Sequence, residues 1–518
     1  MKKATILTAV EAAAYIKDGM TIVPSGFVGS CCPEALNKAV EQRFLETGSP
    51  RDLTLLMVSA QGNRDGSGGD HYAHEGLVKR VIGGHWNLVP ELGKLALAEK
   101  IEAYALPQGT LSQLCREIAA HHPGVITHVG LGTFVDPKNQ GGKLNARTTE
   151  DLVEGINILG EEKLLYKAFP IDIALLRGTY ADEAGNVTLE KEIVTYEATA
   201  LAQAVRNSGG KVFVQVEKVV KAGSLDPRLV KIPGIYVDGI IVAEDMADHE
   251  QCFGHEYDPS LCGQLRVPVD SLPPVALSPK KIIARRAALE LTENTVVNLG
   301  IGIPEFVSAV ANEEGIGDYF TLTVEPGPIG GIPLAGSQFG AAVNPECILT
   351  QPEQFDFYDG GGLDLAFLGL AEVDGAGNLN VSKFGPRIAG PGGFINITQN
   401  AKKVFFCGTF TAGGFKAAVA DGKLQILQEG SSRKFVKQVE QITFSGDYAR
   451  STGQPVLYIT ERAVFELRAD GVYLTEIAPG IDLKTQVLDL MDFVPKMDGQ
   501  PRLMDERIFR DQKMGLGK

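Results

Sequence analysis

IDIALLRGTYADEAGNVTL, residues 171–189, and LDLAFLGLAEVDGAGNLNV, residues 363–381, are two versions of one pattern. Each runs an apolar stretch into a DxxGN turn and out into a second short apolar stretch. Asp172/Asp364, Ala174/Ala366, Leu176/Leu368, Asp182/Asp374, Gly185/Gly377 and Asn186/Asn378 match at one offset of 192 residues. Lys211-Val212-Phe213 and Lys403-Val404-Phe405 match at the same offset. A DxxGN turn alone is ordinary turn chemistry. A constant offset across two separated segments predicts two homologous domains in tandem.

The pattern around these segments has the grammar of a parallel α/β sheet. Thr8-x-x-Glu11 is a capping-box pattern before an Ala-rich helix that stops near Gly19. Residues 21–24 read as a strand, 26–30 as a Gly loop, 33–46 as a helix and 52–59 as a buried strand. The second half repeats the order: strand 295–299, loop 300–302, helix 304–312, strand 319–324. The predicted fold is therefore α/β, two homologous open α/β domains. The first spans 1–260 and the second 280–518. The join at 261–279 carries Pro268, Pro273, Pro274 and Pro279.

Composition narrows the function classes. The 518 residues make roughly three to five domain-sized units, or two large ones. Lys and Arg number 49 against 64 Asp and Glu, a net charge of −15 with no basic stripe, which speaks against nucleic acid as a partner. No apolar run of about 18 residues occurs, so no membrane span is expected, and the first twenty residues do not read as a signal peptide. Seven cysteines without a CxxC pair read as reduced thiols in a cytoplasmic protein. Glycine is in excess, 60 of 518, and clusters where backbone would approach a ligand closely.

The strongest local feature is TLTVEPGPIGGIPLAGSQFG, residues 321–340. An apolar strand ends on Glu325, and glycines 327, 330, 331, 336 and 340 follow. Ligands of open α/β sheets bind beyond the carboxyl ends of strands. A carboxylate there, beside backbone N–H donors, is a candidate nucleophile or base; a cap for the following loop is the plainer reading. At the 192 offset, Glu325 falls on Thr133 within THVGLGTFVDPKNQGG, so the first half would keep the Gly-rich setting without the carboxylate. A second glycine cluster, SKFGPRIAGPGGFINIT from Ser382, offers N–H groups at Gly390, Gly392 and Gly393, with Lys383 and Arg387 adding positive charge. It reads equally as a surface turn. Gly300-Ile301-Gly302 lacks the third glycine of a dinucleotide fingerprint, and no phosphate-binding GxxxxGK[ST] exists. Asp70, His71, His74 and Glu75 are ligand-like types, but a lone HxxH is more often a polar helix or loop face, and no metal is expected. All eight histidines lie before residue 256, so Glu325 has none in its own half. That favours a carboxylate acting without a base, since it is already ionised at neutral pH.

These stretches resemble the family I coenzyme A transferases, in the form that fuses both subunit-type domains, and most nearly the short-chain acyl type acting on propionate and acetate. The resemblance runs through SGFVGSCCPEAL (from Ser25), HEGLVKRVIGGH (from His74), ALPQGTLSQLCREIA (from Ala105), VVNLGIGIPE (from Val296), TVEPGPIGGIPLAG (from Thr323) and GGLDLAFLGLAEVDGAGNLNVSKFG (from Gly361). It implies an active site at the interface of the two domains, with Glu325 as covalent nucleophile. It implies that Gln108 of the PQGT motif, Gly392, Gly393 and Asn63 of SAQGNRDG hold the oxyanion or carboxylate. Gly26, Gly29, Gly300, Gly302, Gly330, Gly331 and Lys383 would belong to the loops around CoA and substrate. The family's first-half glycine motif, GxGG, reads Gly26-Phe27-Val28-Gly29 here, and Pro326 follows Glu325 where many relatives carry Ser or Asn.

The implied activity is transfer of coenzyme A between a short-chain acyl-CoA and a free carboxylate of the acetate, propionate or acetoacetate class. It would run through a glutamyl-CoA thioester, with coenzyme A as substrate and no permanently bound cofactor. The implied assembly is a homo-oligomer, a tetramer. Two other readings use the same residues: a short-chain acyl-CoA hydrolase, and a non-catalytic sensor of acyl-CoA or sugar phosphate.

Overall fold

A computed structural model describes residues 3–268 and 275–517. Part of the Pro-rich join, including Pro273 and Pro274, lies outside the described residues. The chain forms two compact units. The first comprises Met1–Val267, Val324–Asp356 and Phe384–Asn396; the second comprises Pro268–Thr323, Phe357–Lys383 and Ile397–Lys518. The units thus differ from the contiguous halves read from the repeat, because two segments of the second half pack within the first unit.

The first unit is built on eight strands: β1 (Thr5–Ile6), β2 (Thr21–Pro24), β3 (Leu53–Met57), β4 (Val78–Gly83), β5 (Glu102–Ala105), β6 (Ile173–Arg177), β7 (Lys211–Val216) and β8 (Gly239–Val242). They lie in the order β1-β8-β7-β6-β2-β3-β4-β5, every pair parallel. All five residues of β3, LTLLM, are buried, as a strand covered on both faces requires. Helix α1 (Glu34–Thr47) follows β2 and stops at Gly48, whose left-handed φ of 70° lets its N–H close on Phe44 O at 2.7 Å. Helix α2 (Gln108–Ala119) follows β5; it buries Leu111, Leu114, Cys115 and Ile118 at helical spacing. The predicted first helix is shorter than the sequence suggests, Ala9–Ala13, although its Thr8–Glu11 capping box forms in both directions.

The second unit carries β9 (Thr295–Leu299), β10 (Phe320–Thr323), β11 (Leu365–Gly369), β12 (Lys403–Cys407), β13 (Val456–Ile459), β14 (Ala463–Arg468), β15 (Gly471–Ile477) and β16 (Arg502–Leu503). Within the unit they lie in that order except that β10 precedes β9. The strands from β10 to β13 are parallel, and β14 and β15 continue antiparallel.

The repeat is real at atomic level. Ala174 pairs with Val212 in the first unit, and Ala366 with Val404 in the second. Asp182 Oδ1 accepts from Ala184 N at 2.9 Å, and Asp374 Oδ1 from Ala376 N at 3.0 Å. Asn186 and Asn378 donate to the same aspartates at 3.0 and 3.1 Å. Strand order β3-β2-β6-β7-β8 in the first unit corresponds to β10-β9-β11-β12-β13 in the second.

Candidate active site

Glu325 follows the carboxyl end of β10, as its sequence position predicts, and packs with residues of the first unit. Its Oε2 accepts from Gln108 Nε2 at 3.3 Å, and the backbone N–H of Gly393 also favours the charged carboxylate. Gln108 is the first residue of α2, directly after Pro107, so its side chain is fixed by a helix start. Its own N–H donates to Gly392 O at 2.9 Å, and Gly392 N–H donates to Gly84 O at 2.7 Å. Three distant stretches, 84–85, 107–109 and 390–393, are thereby laced together by main chain alone.

The glycines here are required by close approach. A Cβ on Gly393 would lie 2.8 Å from Glu325 Oε2 and 3.0 Å from Phe355 Cζ. A Cβ on Gly109 would meet the Phe355 ring at 2.2 Å, and one on Gly84 would meet Val58 O at 2.3 Å. Asn396 Oδ1 receives Gly109 N–H at 3.2 Å. Phe355 is wholly buried, on the helix Gln351–Asp359.

This setting decides the charge state of Glu325. The side chain is half-buried. Burial pushes its carboxyl up to about 7, against the weaker pull of the Gln108 and Gly393 donors. His85 sits behind Gly392, with Nδ1 3.6 Å from where a Cβ on that glycine would stand. Burial first, and the Arg64 and Arg387 charges after it, bring His85 down to about 4, so it is neutral at physiological pH.

Of the predicted residues, the structure brings Glu325, Gln108, Gly392 and Gly393 together. The surroundings of the other residues are as follows. Asn63 Nδ2 donates to Asp65 two residues on, at 3.2 Å. Cβ atoms on Gly26 and Gly29 would meet Gln61 Cβ and Ser337 O, each at 2.7 Å. Gly330 and Gly331 have φ of 72° and face Glu346 and Val343 O, so the Gly-rich loop after Glu325 is a close-packed turn. Gly300, Gly302 and Lys383 belong to the second unit. There Gly300 presses on Leu368, Gly302 takes φ of 91°, and Lys383 N–H donates to Asn380 Oδ1 at 3.2 Å. The equivalence of Glu325 with Thr133 is corrected. Thr133 lies in a turn, its Oγ1 bonded to Gly130 O, after the strand Gly124–Thr127 of a small antiparallel sheet. Sequence reasoning missed Phe355, His85, Gly84 and Asn396; single buried residues in unrelated stretches leave no spacing to detect.

His71 and His74 are both engaged by glutamates of α1. His71 lies between Glu34 Oε1, 2.7 Å from Nε2, and Glu41 Oε2, 2.5 Å from Nδ1, while His74 takes the other Glu41 oxygen at 2.6 Å. No group of three or more His, Cys, Asp or Glu among the described residues could hold a metal ion. No helix among them is long and apolar enough to cross a membrane.

Comparison with known proteins places the whole chain. Residues 6–243 match the family described as coenzyme A transferase. The chain is 47% identical over 518 residues to a caffeate CoA-transferase of Acetobacterium woodii, covering 99% of each chain. It is 45% identical over 512 residues to the acetate CoA-transferase YdiF of Escherichia coli (strain K12), covering 99% of this chain and 96% of that one. The crystal structure of the acyl-CoA transferase YdiF from E. coli O157:H7, a thioester complex with CoA, superposes with a TM-score of 0.94 at 44% identity, covering 99% and 98% of the two chains.

Proposed function

We propose, for a chain that belongs to the coenzyme A transferase family, that Glu325 carries coenzyme A between a short-chain acyl-CoA and a free carboxylic acid. The acids are of the acetate, propionate and acetoacetate class, and the cycle is ping-pong. The observation that carries the reading is one carboxylate that receives Gln108 Nε2 and the backbone N–H of Gly393, beside a buried aromatic ring.

The ionised Glu325 carboxylate attacks the thioester carbonyl of the acyl-CoA. The C–S bond breaks, CoA leaves as thiolate, and a glutamyl–acyl anhydride remains. The thiolate then attacks the glutamyl carbonyl and expels the first acid as its carboxylate, leaving a glutamyl-CoA thioester. The incoming carboxylate reverses both steps and restores Glu325. No step moves a proton, and His85, neutral beside Gly392, supplies none. The same two donors can follow the glutamyl oxygen from carboxylate to tetrahedral adduct, where the charge concentrates on it. Burial makes the carboxylate a less solvated and more reactive nucleophile, and the anhydride must be kept from water.

The reading extends to a cytoplasmic homo-oligomer, a tetramer, whose two homologous domains are bounded by descent at 1–260 and 280–518. The seven thiols, all unbridged, support a reducing compartment.

Mixing the protein with acetyl-CoA or propionyl-CoA and no acceptor tests the mechanism by intact mass and peptide mapping. A gain of coenzyme A less one water on the Glu325 peptide is expected. Steady release of CoA without an adduct would replace the transferase with a hydrolase. Neither adduct nor release from any short-chain acyl-CoA would leave the sensor.

A further inference from the structure

Two exposed arginines lie near His85, which stands beside Gly392, and among the described residues neither is paired with a carboxylate. Arg64 lies in the loop after β3; its Nε donates to Asn87 O at 3.0 Å. Arg387 lies just before the Gly390–Gly393 turn; its Nε and Nη2 donate to Asn87 Oδ1 at 3.0 and 2.5 Å. One residue thus holds both guanidinium groups by their edges, one on its main-chain oxygen and one on its side-chain oxygen. The carboxylate next in sequence, Asp65, is turned away: Oδ1 receives Ser67 N and Oγ at 3.1 and 2.6 Å, and Oδ2 receives Asn63.

The framework beneath them is rigid. Trp86 N and Asn87 N both donate to Ala389 O, at 2.7 and 3.2 Å, tying the segment that carries Arg387 to the loop that carries Asn87. Trp86 is fully buried. His85, next along, separates the arginines from Gly392 and Gly393, and both arginines act on its charge state. Two like charges gathered on one residue repel each other, and an oxyanion between them relieves that repulsion. The terminal nitrogens, in fork geometry, suit a phosphate or carboxylate group.

We infer that Arg64 and Arg387 form a subsite for a second anionic group of a substrate whose reacting carbonyl lies at Glu325. The inference rests on the transferase reading above. The chemistry is that of an oxyanion, and two substrates can supply it: a phosphate of coenzyme A, or the distal carboxylate of a dicarboxylic acceptor.

The test uses ratios, so that the fraction of active protein cancels. Wild type, Arg64→Gln, Arg387→Gln and the double variant are assayed with acetyl-CoA against acetylpantetheine as donor, and with succinate against propionate as acceptor. If phosphate is the ligand, the acetyl-CoA to acetylpantetheine ratio of kcat/KM falls about tenfold for each arginine lost, as for a charge-assisted hydrogen bond. If a distal carboxylate is the ligand, the succinate to propionate ratio falls by that factor instead. Arg387→Lys keeps the charge without the fork and recovers part of the loss. Both ratios staying within about twofold of wild type in the double variant would overturn the subsite. Failure of the transferase reading itself appears separately, as wild type that exchanges no CoA at all.

Discussion

The two sheets share five parallel strands in one order, yet their equivalent strand ends differ. In the first unit Thr21 of β2 pairs with Thr54 of β3, and Thr21 N–H rests on Asp172 Oδ2 at 2.8 Å. In the second, Val296 of β9 pairs with Thr321 of β10, and Val296 N–H rests on Asp364 Oδ2 at 2.8 Å. Counted from these pairs, Glu325 corresponds to Val58. Val58 is buried, and its carbonyl crowds Gly84. The same point in the fold thus supports packing in one half and bears an ionisable group in the other. Duplication supplied the frame, and one carboxylate divided the labour.

The largest effect expected follows from that one position. Glu325→Ala removes the attacking oxygen, so exchange of CoA into acetate falls by more than about a thousandfold, while the second-half strand pattern stays intact. Turnover near wild type would mean that the two strand ends do not differ in chemistry. Gln108→Ala removes one of two donors and lowers kcat by about a hundredfold. Gly393→Ala drives a methyl into Glu325 and Phe355 and falls in the same range. A Gln108 variant with wild-type kcat would take that side chain out of the site.

The repeat was legible because backbone needs are local. A DxxGN turn needs Asp and Asn at fixed spacing, and the apolar run before it needs burial on both faces. Glu325 was legible for the same reason, as a carboxylate at the end of an apolar strand. The offset was not transferable to it. Residues 124–167 of the first half build a three-stranded antiparallel sheet between β5 and β6, so an offset read at β6 does not reach back to β3. Phe355 and His85 were illegible because their roles depend on contacts between stretches more than two hundred residues apart. The glycines were legible as close approach: Gly29 and Gly331 face main chain, while Gly26, Gly300, Gly330 and Gly393 press on side chains.

The pH dependence sharpens the contrast between a buried Val and a buried Glu. With the carboxyl near 7, the nucleophile is protonated below that pH, so kcat/KM for acyl-CoA falls about tenfold per pH unit on the acid side. Phe355→Ala admits water to Glu325 and moves that limb toward the ordinary value near 4.5. A limb that stays at 7 would exclude the ring as the cause. The same shift costs stability. A carboxyl raised by folding contributes fully below its unfolded pKa, and that contribution is lost as pH rises through the folded value. At pH 8, Glu325→Gln is therefore more stable than wild type by ~2 kcal/mol, after allowing for its partial exposure, and the gain disappears near pH 4. Denaturant unfolding at both pH values measures it.

The smallest effect concerns how the first unit holds its own strand-end loop. The loop after β3, which carries Asn63 and Arg64, is pinned to α1 by His71 between Glu34 and Glu41. Burial opposes the proton on His71, but the hydrogen bonds and charges of Glu34 and Glu41 outweigh it and raise the imidazole above its ordinary value. Groups facing this cluster are Glu34, Glu41, His74 and Asp70, and Glu34 also accepts Gly68 N–H at 3.2 Å. A raised imidazole stabilises the fold fully below the unfolded pKa of about 6.5, and this is lost as pH rises through the folded value. Wild type should therefore lose stability on the alkaline side of that window, and His71→Gln should not. Hydrogen exchange of residues 63–70 reads the clamp directly: protection falls with rising pH in wild type and is low throughout in the variant. Equal protection in both proteins would mean that the glycines of this loop, Gly68 and Gly69 packed on Gln61, hold it without the histidine.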